Sequence, residues 1–228
     1  MSLSRASNHT LQVQRTARWW SLDPPEGTAV CGTLFVLHGY GQLAEYFIRK
    51  FQSHAQMGWR VIAPEGAHRF YLKGTEGRVG ASWMTKEERM SDVEDYVRFL
   101  DQIRTEVAPL PTDLTVLLGF SQGVATAIRW AVLGQGGANA WTGLIAHSGV
   151  IPPDLGAMNG TFQHTSALHL ITGRQDPYIQ DEGARFTTAE QAWSNAKGAQ
   201  DRLFHHWFEG GHDIDAPTVS DVLDGFRA

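Results

Sequence analysis

The residues Gly119-Phe120-Ser121-Gln122-Gly123 carry the most specific chemical signal in the sequence. A serine hydroxyl is a weak nucleophile until it is exposed and activated. The pattern Gly-x-Ser-x-Gly puts the serine on a sharp strand-to-helix turn, where bulky side chains two residues to either side would clash. The strained turn lifts Oγ clear of the sheet. It also leaves the first N–H groups of the next helix unpaired, with the helix dipole behind them. Gly and Ser are common, so the setting decides whether the match has meaning. Here the motif falls between the apolar run Leu114-Thr115-Val116-Leu117-Leu118 and an Ala-rich helical segment from Val124 to about Leu133. Ala125 and Ala127 allow that helix to lie close on a sheet.

Ser121 needs a base, and the base needs an acid that fixes its tautomer and stabilises the imidazolium. With this kind of turn the chain order is Ser, acid, His. The downstream histidines sort by position. His147 ends the strand soon after the nucleophile, too early in that order. His164 lies in an irregular segment and His169 inside a strand. His205 and His206 are adjacent in a strand, so they point to opposite faces and make a poor metal pair. His212 follows the last strand in Glu209-Gly210-Gly211-His212-Asp213, a loop shaped by glycines, and is the predicted base. The predicted acid is Asp176, in Gly173-Arg174-Gln175-Asp176-Pro177 at the end of the penultimate strand. Its rivals are Asp154, Asp181, Asp201, Asp213 and Asp215. Asp154 comes early, beside Pro152-Pro153. Asp181 and Asp201 read as loop or helix-start residues. Asp213 adjoins His212, and adjacent side chains rarely make this bond.

Acyl transfer also needs donors aimed at the developing oxyanion. One is expected from the backbone N–H of Gln122. The other is expected from the N–H of Tyr40 in His38-Gly39-Tyr40-Gly41, where glycines let the loop approach a substrate. His38 reads as a structural hydrogen-bonding group.

The elements around these residues alternate between strand-like and helix-like. Strands are predicted at Gln12 to Leu22, Thr33 to Leu37, Trp59 to Ala63, Leu114 to Leu118, Trp141 to His147, Ala167 to Thr172 and Arg202 to Phe208. Helices are predicted at Leu43 to Ala55, Glu87 to Val107, Val124 to Leu133, Ala184 to Lys197 and Pro217 to Phe226. The stretch from Glu65 to about Lys86 reads as a long loop, and long loops in compact domains are often functional. This alternation implies an α/β fold, a mostly parallel central sheet with helices on both faces. Active sites in such sheets lie at the carboxyl ends of the strands, where the candidate residues fall.

Composition narrows the classes further. The chain has 228 residues, 42% of them hydrophobic and 19% charged, which suits one globular domain over 1–228 with residues 1–10 outside its ordered part. The net charge is -5 and the 19 basic residues are scattered, which argues against nucleic acid as a partner. The lone Cys31 reads as a buried thiol. No apolar h-region and no membrane-length apolar run occur, so a cytoplasmic location without stable membrane insertion is expected.

With its motifs in view, the chain resembles the phospholipase/carboxylesterase family of α/β-hydrolases, which includes acyl-protein thioesterases and small bacterial carboxylesterases. The resemblance rests on His38-Gly39-Tyr40-Gly41, Gly119 to Gly123, Gly173 to Asp176 and Gly210-Gly211-His212, and it spans nearly the whole chain from Thr33 onward. It implies an α/β-hydrolase fold with no large lid, a triad of Ser121, Asp176 and His212, and an oxyanion hole from the N–H groups of Tyr40 and Gln122. It also implies no metal and no cofactor. The chain departs from the family at Tyr40 and Gln42, where His-Gly-Leu-Gly-Asp is common, at Val124, where a second Gly is common, and after Trp83, where Phe or Tyr and then Asp are usual. The expected activity is hydrolysis of a small-molecule carboxylic ester or thioester by a monomer or homodimer. Trp83, Phe70, Tyr71 and Tyr178 are the expected pocket residues for an apolar acyl or aromatic group. An amidase or peptidase with the same triad is one alternative, and a non-catalytic binding module on the same fold is another.

Overall fold

A computed structural model describes residues 6–108, 114–136, 140–154, 167–178 and 203–227. Six strands run parallel, and the inner ones are largely apolar and buried. The six are β2 (Gly32–Leu37), β3 (Trp59–Pro64), β6 (Leu114–Phe120), β7 (Gly143–His147), β8 (Ala167–Gly173) and β9 (Leu203–Phe208). Together with β1 (Trp19–Leu22) they form one sheet in the order β1-β3-β2-β6-β7-β8-β9. Only the β1–β3 pair in this sheet is antiparallel.

Alternation along β2 shows why these runs lack a polar face. Phe35 and Leu37 join one apolar cluster with Trp130, Tyr96 and Leu100. Leu34 and Val36 join another with Phe47, Phe51 and Val222. The first cluster seats α3 (Arg89–Val107) and α4 (Gln122–Leu133). The second seats α1 (Ala44–Phe47), α2 (Gln52–Gln56) and α5 (Ala216–Gly225). A sheet buried on both faces must be apolar on both, as parallel sheets are. On α3 the buried face is Val93, Tyr96, Leu100, Ile103 and Val107, at alternating three- and four-residue steps.

Several predicted elements change. The strand predicted from Gln12 pairs only from Trp19, whose partner is Pro64. Pro64 ends β3, and the pairing finishes one step on, where the Glu65 N–H donates to the Arg18 carbonyl at 3.1 Å. The helix predicted from Leu43 to Ala55 is interrupted by a 3-10 turn at Ile48–Phe51, which still buries Ile48 and Phe51. The predicted loop after Glu65 contains an antiparallel ribbon, β4 (His68–Tyr71) with β5 (Val79–Ser82). Cys31 lies just before β2 and is half-buried, with its Sγ 3.7 Å from the Met57 carbonyl. The predicted helix Ala184 to Lys197 lies outside the described residues. Among the described residues, no helix is long and apolar enough to cross a membrane.

The chain runs from β2 to β3 on one side, then returns through β6 on the other. The loops after β2 and β6 therefore diverge at a topological switch point, where open α/β sheets bind ligands. Leu37 is paired with Gly119 across that point, so the His38 loop and the Ser121 turn are neighbours. Glu65 anchors the floor beside them. Its buried carboxylate takes Arg18 Nε at 2.7 Å, Arg69 Nε at 2.9 Å and the Ala44 N–H at 3.2 Å.

Candidate active site

Ser121 stands between β6 and α4 with φ 53° and ψ -118°. Only a tightly enclosed turn holds a non-glycine residue there. The flanking glycines show how tight it is. A Cβ at Gly119 would strike the Gly123 carbonyl, and a Cβ at Gly123 would strike the Leu37 carbonyl. A Cβ at Gly39 would lie 3.1 Å from the Ser121 Cβ, so the His38 loop passes directly beside the serine. The Ser121 N–H is fixed to the His147 carbonyl at 3.0 Å.

The loops after β8 and β9 are joined by their backbones. Arg174 N–H donates to the Phe208 carbonyl at 3.0 Å, and Gln175 N–H donates to the Gly210 carbonyl at 2.9 Å. This brings Asp176 to His212, whose Nδ1 lies 2.8 Å from Oδ2. The Asp176 side chain is fully buried, and its other oxygen accepts the Tyr178 N–H at 3.0 Å. A carboxylate bonded at both oxygens has one position, and it holds the proton of His212 on Nδ1. That leaves Nε2 as the free nitrogen of a neutral imidazole. The ring of Phe120, next to the serine, lies 5.0 Å from that of His212. Among the described residues the Ser121 hydroxyl makes no hydrogen bond, and such contacts are often loose until substrate binds.

The rival histidines among the described residues are occupied, and so is His38. His147 is buried and accepts the Asp215 N–H on Nε2 at 3.0 Å, which puts its proton on Nδ1, 3.2 Å from Ser148 Oγ. Burial pushes its pKa down to about 3. His38 accepts the Gly66 N–H on Nε2 at 3.0 Å and donates from Nδ1 to the Gly39 carbonyl at 2.8 Å, with burial pushing its pKa down to about 4. His169 and His206 bond each other at 2.9 Å, and His205 lies 3.3 Å from Thr172 Oγ1. Of the rival acids, Asp154 pairs with buried Arg129 at 3.0 Å and with Arg89 at 3.1 Å. Asp213 pairs with Lys50 at 2.7 Å, and Asp215 caps α5 through the Thr218 N–H at 3.0 Å. His164, Asp181 and Asp201 lie outside the described residues. Among the described residues, no group of three or more His, Cys, Asp and Glu side chains is placed to hold a metal ion.

The N–H groups of Tyr40 and Gln122 have no hydrogen-bond partner among the described residues, while those of Gly39, Gly41 and Ser121 do. Tyr40 is 62% exposed and its ring lies 5.1 Å from Phe70; Tyr178 is 77% exposed and its ring lies 4.6 Å from His212. The two ring pairs are separate, one beside the His38 loop and one at His212. Tyr71 is exposed on the alternate face of β4. Trp83 is 1% exposed; its ring packs against that of His38 and also lines the cavity behind it. That cavity, of about 690 Å³ between residues 13–17 and α3, contains none of Ser121, Asp176 and His212.

Two residues were not singled out for their side chains. Gln42 accepts the Gly39 N–H on Oε1 at 2.8 Å. The Gln122 amide bonds the segment after β5, including Met84 O at 3.0 Å from Nε2. The spacing of Gly39 and Gln42, one turn apart, is a signal that could have revealed the first. The second spans a tertiary contact and has no local signal.

Residues 26–226 match the model of the phospholipase/carboxylesterase family, and the chain belongs to that family of α/β-hydrolases. No curated protein matches the sequence. Among solved structures, the chain is similar to esterase PE8, at 22% identity and TM-score 0.66, with 93% of this chain and 99% of that one covered. It is similar to acyl-protein thioesterase 2 of Zea mays, at 17% identity and TM-score 0.67, with 93% and 98% covered. It is also similar to a carboxylesterase of Bacillus cereus, at 18% identity and TM-score 0.62, with 92% and 93% covered. At these identities the likeness establishes the fold.

Proposed function

We propose that the chain is a serine hydrolase that cleaves carboxylic esters or thioesters through an acyl-enzyme on Ser121. The observation that carries this reading is the 2.8 Å contact between His212 Nδ1 and the buried Asp176 carboxylate, made beside the strained Ser121 turn. Ser121 Oγ attacks the acyl carbon while His212 Nε2 takes its proton. The carbonyl oxygen becomes an oxyanion and accepts hydrogen bonds from the N–H groups of Tyr40 and Gln122. The tetrahedral species collapses, and His212 returns the proton to the departing alcohol or thiol. Water then repeats the sequence on the acyl-enzyme, releases the acid and restores Ser121. Asp176 stays ionised and stabilises the imidazolium in each half. The rings of Tyr40, Phe70 and Tyr178 give an apolar acyl or aromatic group surfaces to rest on.

The test is initial-rate kinetics on matched p-nitrophenyl esters, a thioester and an anilide of the same acid. Ester and thioester turnover well above anilide turnover is expected. Anilide turnover equal to ester turnover would move the reading to amidase or peptidase. Tight binding without turnover would make the chain a binding module.

A further inference from the structure

The two donors assigned to the oxyanion hole come from separate loops, after β2 and at the start of α4. The segment Ser82 to Met84 connects them. On one side, the Gln122 amide is fully engaged by it. Oε1 accepts from Ser82 Oγ and from the Trp83 N–H, each at 3.2 Å. Nε2 reaches Ser82 Oγ and the Met84 carbonyl, each at 3.0 Å. On the other side, Trp83 Nε1–H donates to the His38 carbonyl at 2.8 Å. The indole cannot turn away. It is stacked on Phe99 at 6.2 Å and 7°, lies 4.9 Å from the His38 ring, and meets Tyr96 edge-on.

The His38 carbonyl belongs to the same planar unit as the Gly39 N–H, which Gln42 Oε1 holds at 2.8 Å. Both ends of that peptide plane are thereby fixed. The next plane carries the Gly39 carbonyl and the Tyr40 N–H. Its carbonyl accepts from His38 Nδ1 at 2.8 Å and from the Gln42 N–H at 3.3 Å. In a trans peptide the N–H points opposite to the carbonyl. The Tyr40 donor therefore points away from His38, and it is left unpaired.

We propose that Trp83 is a positioning residue for the oxyanion hole: with the Gln122 amide it forms one bridge that sets the separation and direction of the Tyr40 and Gln122 donors. This rests on the reading of Ser121 as nucleophile and of those two N–H groups as its oxyanion donors. The donors act only if they sit where the oxyanion develops, so a bridge that holds them contributes to the transition state and not to ground-state binding.

The test is Trp83→Phe, which keeps a buried ring and removes the Nε1–H. The measurements are kcat and KM on a short p-nitrophenyl ester, the pH profile, and the inhibition constant of a trifluoromethyl ketone that adds Ser121 Oγ to form a tetrahedral oxyanion. A fall in kcat of about 10- to 100-fold is expected, at or below the loss of one direct donor. The inhibition constant should weaken by the same factor, with KM and the pH profile unmoved. Gln122→Met, which keeps the backbone donor and cuts the other half of the bridge, should give the same signature and serves if Trp83→Phe does not fold. Normal kcat and normal inhibitor affinity in a folded variant would overturn the proposal, even with a lower melting temperature. So would a change confined to KM, which would make Trp83 a substrate contact. Fluorophosphonate labelling of Ser121 in the unaltered protein separates the cases: without it the parent reading fails, and with it a normal Trp83→Phe refutes this inference alone.

Discussion

Asp176→Asn keeps the shape of the side chain and removes one acceptor. The carboxylate uses both oxygens, Oδ2 for His212 Nδ1 at 2.8 Å and Oδ1 for the Tyr178 N–H at 3.0 Å. An amide has one oxygen and cannot serve both. If the oxygen stays on Tyr178, the NH2 group faces Nδ1 and forces the His212 proton onto Nε2, where the base can no longer accept one from Ser121. The alternative orientation sets the NH2 group against the Tyr178 N–H in a fully buried place, at a cost of about 1–3 kcal/mol. The first orientation prevails, so kcat should fall by about 10⁴-fold, the loss seen when this kind of carboxylate is neutralised. That corresponds to about 5.4 kcal/mol of transition-state stabilisation. Steady-state rates on p-nitrophenyl acetate measure it, with circular dichroism to verify the fold. A drop under tenfold in a folded variant would refute the assignment of Asp176 and the tautomer argument with it.

Other outcomes follow from the same geometry. Gly123→Ala must push its new Cβ into the Leu37 carbonyl, and overpacking of this kind costs about 1–3 kcal/mol, so the urea midpoint should drop along with activity. An unchanged midpoint would show that the turn has room the geometry denies. His38 and His147 stay neutral when folded, with pKa values pushed down by burial to about 4 and about 3. Unfolded chains bind more protons below about pH 6.5, so stability from these groups is complete above that and is lost as pH falls toward the folded values. Each should contribute up to about 1.4 kcal/mol per pH unit over that window, and a urea midpoint flat from pH 7 to 4.5 would contradict their buried, neutral placement.

Much of the fold is legible because parallel strands covered on both faces must be apolar throughout, as Leu114 to Leu118 and Thr33 to Leu37 are. The edges are less legible. At the N-terminal edge the strand pattern ran on past the point where Pro64 ends the partner. In the ribbon β4–β5, β4 alternates half-buried and exposed residues and β5 is four mostly small residues, so neither shows the apolar run that marks the inner strands. In the proposed site, Ser121, Asp176 and His212 stand out as candidates because each follows a strand in a glycine-shaped loop, and the register of the sheet brings those loops to one edge. Trp83 could not be placed. Its type suggests a pocket wall, and it does line the cavity beside α3, but its packing on Phe99 and His38 joins residues far apart in the chain. The roles of Gln42 and the Gln122 amide were hidden for a similar reason. Each acts through a hydrogen bond to backbone, which side-chain type alone does not disclose.

The most direct test of an activated serine at this turn is labelling with a fluorophosphonate, followed by peptide mapping of the adduct. The adduct should fall on Ser121, vanish in Ser121→Ala and form far more slowly in His212→Ala. An adduct on another residue, or none on the folded protein, would contradict the assignment of Ser121 as nucleophile.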